Sequence, residues 1–345
     1  MPRRRQRADR QLRLRLECQH GAGDARYGFS DGLTFATSGT PCAPRVGVRP
    51  GEVCAQPAAD DAVVSSRHRR DFLFGAWAGT LGSGDREARS GRAALDFETE
   101  GLSAGADMRI GHGYLGAGVG YGRDRTWVGD DDTRSDAHAF TLAGYAGYAP
   151  GDVFFLDGVL GYQSLRYDLR CSLTATTGGV GGRRDGQQWF AALTAGADVE
   201  RGRWQLSPYG RLEFSRATLD GYREQGDPVY ALRYDDQDLK TSAANLGLRI
   251  DYRRTTGWGL FAPQLRLEYQ HDFSGDSSAI LRYADWAAGP GYRARLQGFE
   301  RSRWEVGLGA LFENRADWAF TFGYRGLLDD SGSDRGLMFD IQHQF

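Results

Sequence analysis

The sequence has no apolar run long enough to cross a membrane as a helix. Its longest stretch free of Asp, Glu, Lys and Arg, residues 137–151, is full of Gly, Ala and Tyr, and falls short of the roughly 18 apolar residues a spanning helix needs. Excess charge of either sign is missing too, with 43 basic against 45 acidic side chains. The near-zero net charge argues against a nucleic-acid partner, whose binder needs an excess of positive charge to displace counterions from phosphates. Lysine is nearly absent: Lys240 stands alone and every other basic residue is Arg, a bias of base composition rather than of function. Four cysteines, Cys18, Cys42, Cys54 and Cys171, show no C-x-x-C spacing, so neither a zinc site nor a thioredoxin-like motif has support. Cys42 and Cys54 are spaced to close a small disulfide loop in an oxidising compartment, with unpaired thiols the equal alternative. The start carries seven arginines between Met1 and Leu16, but no apolar segment of roughly 7–15 residues follows, so no export signal is recognisable.

What the chain has in quantity is glycine, 49 of 345 residues, together with 40% hydrophobic and 12% aromatic residues. That glycine share is about twice ordinary usage, while the apolar share suffices for a core and argues against general disorder. Residues 1–70 hold five of the ten prolines, three of the four cysteines and no periodicity, and are read as an irregular N-terminal segment. From residue 71 to 345 apolar and polar residues alternate in segments bounded by turn residues, the period of β-strands. Leu246, Leu248, Ile250 and Tyr252 share one face, against Asn245, Gly247, Arg249 and Asp251. Trp304, Val306, Leu308, Ala310 and Phe312 stand opposite Glu305, Gly307 and Gly309; Trp318, Phe320, Phe322 and Tyr324 stand opposite Ala319, Thr321, Gly323 and Arg325.

These alternations persist for nine or more residues, beyond the usual sandwich strand and long enough to cross a bilayer when tilted. Aromatics concentrate at the ends of the apolar faces, where a membrane has its interfaces. About twelve strands can be counted, among them a sixth near 186–201 and a tenth near 293–313. Tight turns alternate with longer polar loops, the latter including 172–185, 219–236 and 274–292, which is the two-sided signature of an all-β, 12-stranded antiparallel transmembrane β-barrel.

The last ten residues set Leu337, Phe339, Ile341 and Phe345 on one face and end on an aromatic. This resembles the C-terminal recognition strand that outer-membrane barrels present to their assembly machinery, although His343 occupies a position that is usually apolar. Four further stretches, FGAWAG at 74–79, GLSAGADMRI at 101–110, YLGAGVGY at 114–121 and LSPYGRLE at 206–213, occur in the order and spacing of one family. Residues 71–345 resemble the β-barrel translocator domain of autotransporters, the type V secretion proteins. The resemblance implies location in the outer membrane and assembly with barrel machinery and periplasmic chaperones. It also implies carriage of an upstream passenger to the cell surface, its linker left in the lumen, with residues 1–70 the remnant of passenger and linker and 56–70 the candidate pore segment. A passenger-less porin or surface adhesin-like barrel is the alternative.

On this reading the polar face lines the lumen: Asp107, Arg109, Asp198, Arg211, Glu213, Arg249, Asp251, Arg266, Glu268, Glu305, Arg325 and Asp340 mix both signs of charge. Such charges brace the wall by cross-strand pairing or contact a threaded segment. Gly116, Gly118, Gly120 and Gly122 recur at every second position, which puts them on the inner face of one strand. A dinucleotide fingerprint would instead need a strand-to-helix turn. No G-x-S-x-G elbow or helical metal-ligand pair is present. His271-Asp272, with Asp130, Asp131 and Asp132 in a loop, is the one conceivable water-activating group, and the sequence assigns no catalytic, cofactor or metal residue.

Overall fold

A computed structural model describes residues 72–86, 95–110, 112–128, 133–150, 153–172, 178–274, 277–286, 289–296, 302–314, 318–329 and 332–344. Among the described residues, twelve long antiparallel strands form the wall. They are β1 (Phe72–Arg86), β2 (Leu95–Ile110), β3 (Gly113–Val128), β4 (Arg134–Tyr148), β5 (Phe154–Ser172) and β6 (Gly179–Ala197). The second half is β7 (Trp204–Leu219), β8 (Gln237–Tyr252), β9 (Gly259–Asp272), β10 (Ser302–Asn314), β11 (Trp318–Asp329) and β12 (Gly332–Gln344). Each pairs with its sequence neighbour, β6 with β7 included, and β12 pairs back onto β1 from Leu73↔Gln344 to Arg86↔Gly332. The sheet therefore closes on itself and leaves no open edge, the condition for a β-structure in lipid. The register of β1 shifts between Ala76 and Thr80, a bulge at the seam where first and last strands meet.

Alternation puts large apolar side chains outside. Leu102, Phe140, Leu142, Leu160, Leu193, Phe214, Leu246 and Phe322 are all exposed, Leu246 by 70%. In water a continuous belt of this kind would be an aggregation surface; in a bilayer it is the lipid contact. Aromatic pairs rim it: Tyr162–Trp189 and Tyr269–Trp304 at the long-loop end, Trp204–Tyr252 and Phe261–Phe312 at the short-turn end. Leu193 lies on the outer face of β6, midway between Trp189 at the long-loop rim and the short-turn end of the strand at Ala197. Leu193→Arg should cost about 2–4 kcal/mol, the penalty of a cation at mid-bilayer, measurable as a lower temperature for loss of the folded band on unheated gels.

Beyond the long-loop rim the polarity of the two faces inverts. On β5 the outer face runs Phe154, Leu156, Leu160, Tyr162 and then Ser164, Arg166, Asp168, Arg170, while the inner face runs from a mixed Phe155, Asp157, Val159, Gln163 to a wholly apolar Leu165, Tyr167, Leu169. The outward charges pair across strands, Arg166–Asp185 and Arg183–Asp168 both at 3.0 Å. Here the wall has left lipid for water, and its apolar face turns inward like that of any soluble sheet.

That inner apolar face is covered by a lid. The connection after β7 contributes short strands Tyr222–Arg223 and Leu232–Tyr234; the connection after β9 contributes Ser277–Tyr283 and Tyr292–Leu296. Together they form a separate four-stranded sheet. Its Tyr222, Leu232, Tyr234 and Leu281 are buried in one cluster with Ala137, Ala139, Leu165, Tyr167, Leu169, Ala217, Leu219 and Leu239 of the wall. Full burial of each such side chain is worth about 1.5–3 kcal/mol, enough to hold the lid folded. Gly226, at φ 124°, starts the fold-back: it pairs with Val180 of β6, and any side chain there would strike the Gly179 carbonyl at 2.3 Å.

Arg184, buried on the inner face of β6, clamps the lid. Its Nε donates to the Asp220 carbonyl at 2.7 Å, its Nη1 to Gln237 Oε1 at 3.3 Å, and its Nη2 to the Leu219 and Asp235 carbonyls at 3.4 Å. The guanidinium stacks over Tyr222 at 5.7 Å. Burial pulls its pKa below the ordinary arginine value. Arg184→Met keeps the bulk but strips these carbonyls of their donor. A loss of roughly 1–2 kcal/mol should raise protease cleavage within 220–236 by about tenfold, with the barrel itself still heat-modifiable.

The sequence expectations differ from the structure in the loops. Residues 179–185 of the expected loop are strand, since β6 begins at Gly179, and β10 begins at Ser302 because 292–296 belongs to the lid. Glycine gives β6 its loop-like look for a packing reason. A Cβ at Gly182 would lie 2.7 Å from the Tyr222 ring, and one at Gly186 2.6 Å from the Leu219 side chain. Cys42, Cys54, Asp130, Asp131, Asp132 and Phe345 lie outside the described residues.

Candidate functional site in the lumen

Within the lipid-contacting zone the inner face of β7–β11 is a network of charged and amide side chains. Glu268 of β9 is its hub, buried to 2% exposure. It accepts from Arg211 of β7, from the Tyr209 hydroxyl and from Arg266 Nη2 at 2.6 Å. Arg211 also meets Glu213 at 2.9 Å, and Arg266 Nε donates to the Tyr209 oxygen at 2.7 Å. Asn245 and Gln270 donate to Glu213 at 3.0 and 3.2 Å. Glu305 of β10 lies 3.9 Å from Arg266 and 3.7 Å from Arg325 of β11. Three guanidiniums thus face three carboxylates, so their formal charges balance within a confined space.

Nearer the short turns a second group gathers Asp198, Arg249 and Asp251. Arg249 is 3.4 Å from Asp251 and 3.8 Å from Asp198. Asp198 accepts from the Ser207 hydroxyl and Asp251 from Gln264 at 2.6 Å. These networks join residues far apart in sequence, 57 positions for Arg211 and Glu268, which the pairing of consecutive strands brings together. Asp107, Arg109, Asp340 and Ile341 are placed by backbone register alone, Asp107 against Gly116 and Arg109 against Tyr114.

The facing wall is smooth. Gly101, Ser103 and Gly105 of β2 pair with Gly122, Gly120 and Gly118 of β3, and around the ring Gly309 of β10 pairs with Gly323 of β11. In a ring of twelve, β2 and β3 stand across from β8 and β9, so over this stretch the lumen has one charged side and one lined by glycine and serine. On the bulky side, rings are folded flat over glycines of the next strand: Phe190 over Gly161, Phe155 over Gly196 and Tyr209 over Gly247. An added Cβ at those glycines would come within 2.1, 2.5 and 2.2 Å of the ring. Aromatics that cover strand glycines in this way pin register and keep the rings out of the channel. Phe72 at the foot of β1 pairs with Met108, next to the short turn after β2. The upstream chain therefore joins the barrel at the short-turn end, beside the smooth wall.

Other residues raised by the sequence do not converge. His271 is on the outer face of β9, its Nδ1 2.9 Å from Ser302 Oγ. Asp272 is on the inner face and accepts from the Ser274 amide at 2.7 Å. Leu337 and Phe339 of β12 are exposed on the lipid face. Tyr209, Asn245 and Gln270 belong to the charged network although their sequence neighbourhood marks them only as inward positions.

A family model for the autotransporter β-domain matches residues 76–325. Among curated relatives, the esterase EstA of Pseudomonas aeruginosa is 25% identical over 237 residues, covering 65% of this chain and 36% of the relative. Lipase 1 of Photorhabdus luminescens is 25% identical over 166 residues, covering 45% and 24%. The chain thus spans about a third of the EstA length. The translocator domain of NalP from Neisseria meningitidis superposes with a TM-score of 0.67 at 14% identity, covering 80% of this chain and 90% of that one. The transport unit of AIDA-I from Escherichia coli gives 0.56 at 11% identity, covering 82% and 93%.

Proposed function

Because the chain belongs to the autotransporter β-domain family, we propose that this outer-membrane β-barrel of type V secretion carries an N-terminal passenger through its lumen and anchors it at the cell surface. Residues 1–70 then act as linker and passenger remnant, and 71–345 as translocator. The observation that carries this reading is the smooth wall of β2 and β3 beginning beside the foot of β1. A chain entering at that foot passes the register positions of Asp107 and Arg109 and then meets a stretch lined only by glycine and serine, Gly101 to Gly105 on β2 and Gly118 to Gly122 on β3, while the charged network on the far side braces the wall. Barrel assembly machinery and periplasmic chaperones would recognise the C-terminal strand through Leu337, Phe339, Ile341 and Phe345. The esterase and lipase activities in the relatives' names are those proteins' own.

The test is a signal peptide and epitope fused upstream of Gln56. The expected result is an epitope cleaved by protease added to intact cells. An epitope that stays periplasmic while the barrel inserts, with steady conductance in planar bilayers, would establish the passenger-less porin instead.

A further inference from the structure

The lid has two unlike faces. Leu232, Tyr234 and Leu281 are buried against the wall, and the alternate positions carry arginine. Arg223 is directly opposite Arg233, and Arg233 is directly opposite Arg282, across three adjacent strands. Arg293 follows on the fourth strand, opposite Ile280. Arg223, Arg233 and Arg293 are exposed. The one carboxylate on this face with an ion pair among the described residues is Asp235, 2.7 Å from Arg282.

Directly opposed like charges have Cβ atoms about 4.5–5.5 Å apart and destabilise a sheet. Folding alone gives no reason for three arginines in one such row. A bound anion does, since guanidinium forks engage phosphate, sulfate or carboxylate groups in pairs. The row lies at the long-loop end, the cell exterior in this architecture. The hairpin turn beyond Arg282 carries an exposed Trp286, whereas Tyr283 and Tyr292 share the face of Leu232 and Leu281. A row of cations next to a turn with an exposed indole suits a ligand that repeats charged groups along a chain of saccharide rings.

We propose that the outer face of the lid is a docking surface for an acidic polysaccharide at the cell exterior, held by Arg223, Arg233, Arg282 and Arg293. This rests on the barrel's orientation and is independent of passenger carriage. The probe is dextran sulfate, with neutral dextran as its counterpart, titrated against the full chain refolded in detergent. Binding to dextran sulfate alone is expected, weakening as salt rises. Arg223→Gln with Arg233→Gln should weaken it at least about tenfold, the loss of two charge-assisted contacts, and Arg223→Lys with Arg233→Lys should retain most of it. Limited proteolysis checks that the lid stays folded in each variant. Unchanged affinity in the glutamine pair, or equal binding of neutral dextran, overturns the proposal. Equally tight competition by polyglutamate would make the surface a binder of acidic peptide instead.

Discussion

Glu268→Ala is expected to destabilise the barrel by about 3–5 kcal/mol, the cost of breaking a buried ion pair from one side. Glu268 satisfies Arg211, Arg266 and Tyr209 at once. Its removal leaves three guanidiniums facing only Glu213 and Glu305, the latter 3.9 Å from Arg266. Those two carboxylates moderate the loss, so the lower end of the range applies. Glu268→Gln keeps an acceptor oxygen without the charge and should fall between. The measurement is the temperature at which the compact band of the detergent-folded protein gives way to the unfolded band. A second check is Arg211→Ala in the Glu268→Ala background. Removing the stranded cation should recover part of the loss, a coupling that additive single effects would not produce. An Ala variant that melts with the parent would show that the network contributes nothing net.

Alternation made the barrel legible because every second residue of a lipid-crossing strand answers to a different solvent. Leu246, Leu248, Ile250 and Tyr252 against Asn245, Gly247, Arg249 and Asp251 need no partner to be sorted. The family resemblance rested on the same residues, and the structure adds to both. Polarity inversion is also written in the sequence, in Leu160, Tyr162, Ser164 and Arg166 of β5. It escapes a reading that expects one face to stay apolar throughout. The lid was illegible for another reason. Strands of two to seven residues are too short for periodicity to emerge, and their partners lie tens of residues away. Glycines on β6 misled for the opposite reason, since Gly182 and Gly186 mark close packing rather than a flexible connection. Which carboxylate each arginine meets depends on the register between neighbouring strands, and no local pattern encodes it.

If the smooth wall is the path of the linker, bulk placed on it should block display without unfolding the barrel. Gly120 is the position to fill. A Cβ there meets its neighbours at 3.6 Å or more, ordinary contact, whereas at Gly118 it would press the Ala104 carbonyl at 3.2 Å. Gly120→Trp therefore adds one of the largest side chains to the lumen without displacing backbone. A helical linker is about 10–12 Å across with its side chains, and an indole spanning the free side competes directly for that width. Surface exposure of an epitope fused upstream of Gln56 is expected to fall more than about tenfold, a barrier increase of roughly 1.4 kcal/mol or above. Heat-modifiable migration should be unchanged. Ala117→Trp is the matched control, because Ala117 is on the same strand but exposed to lipid. Equal bulk there should leave display intact, and the indole suits a membrane-facing position. Full display by the Gly120 variant would place the linker elsewhere in the lumen, against the charged network, and would make Arg266 and Glu305 the residues to fill next.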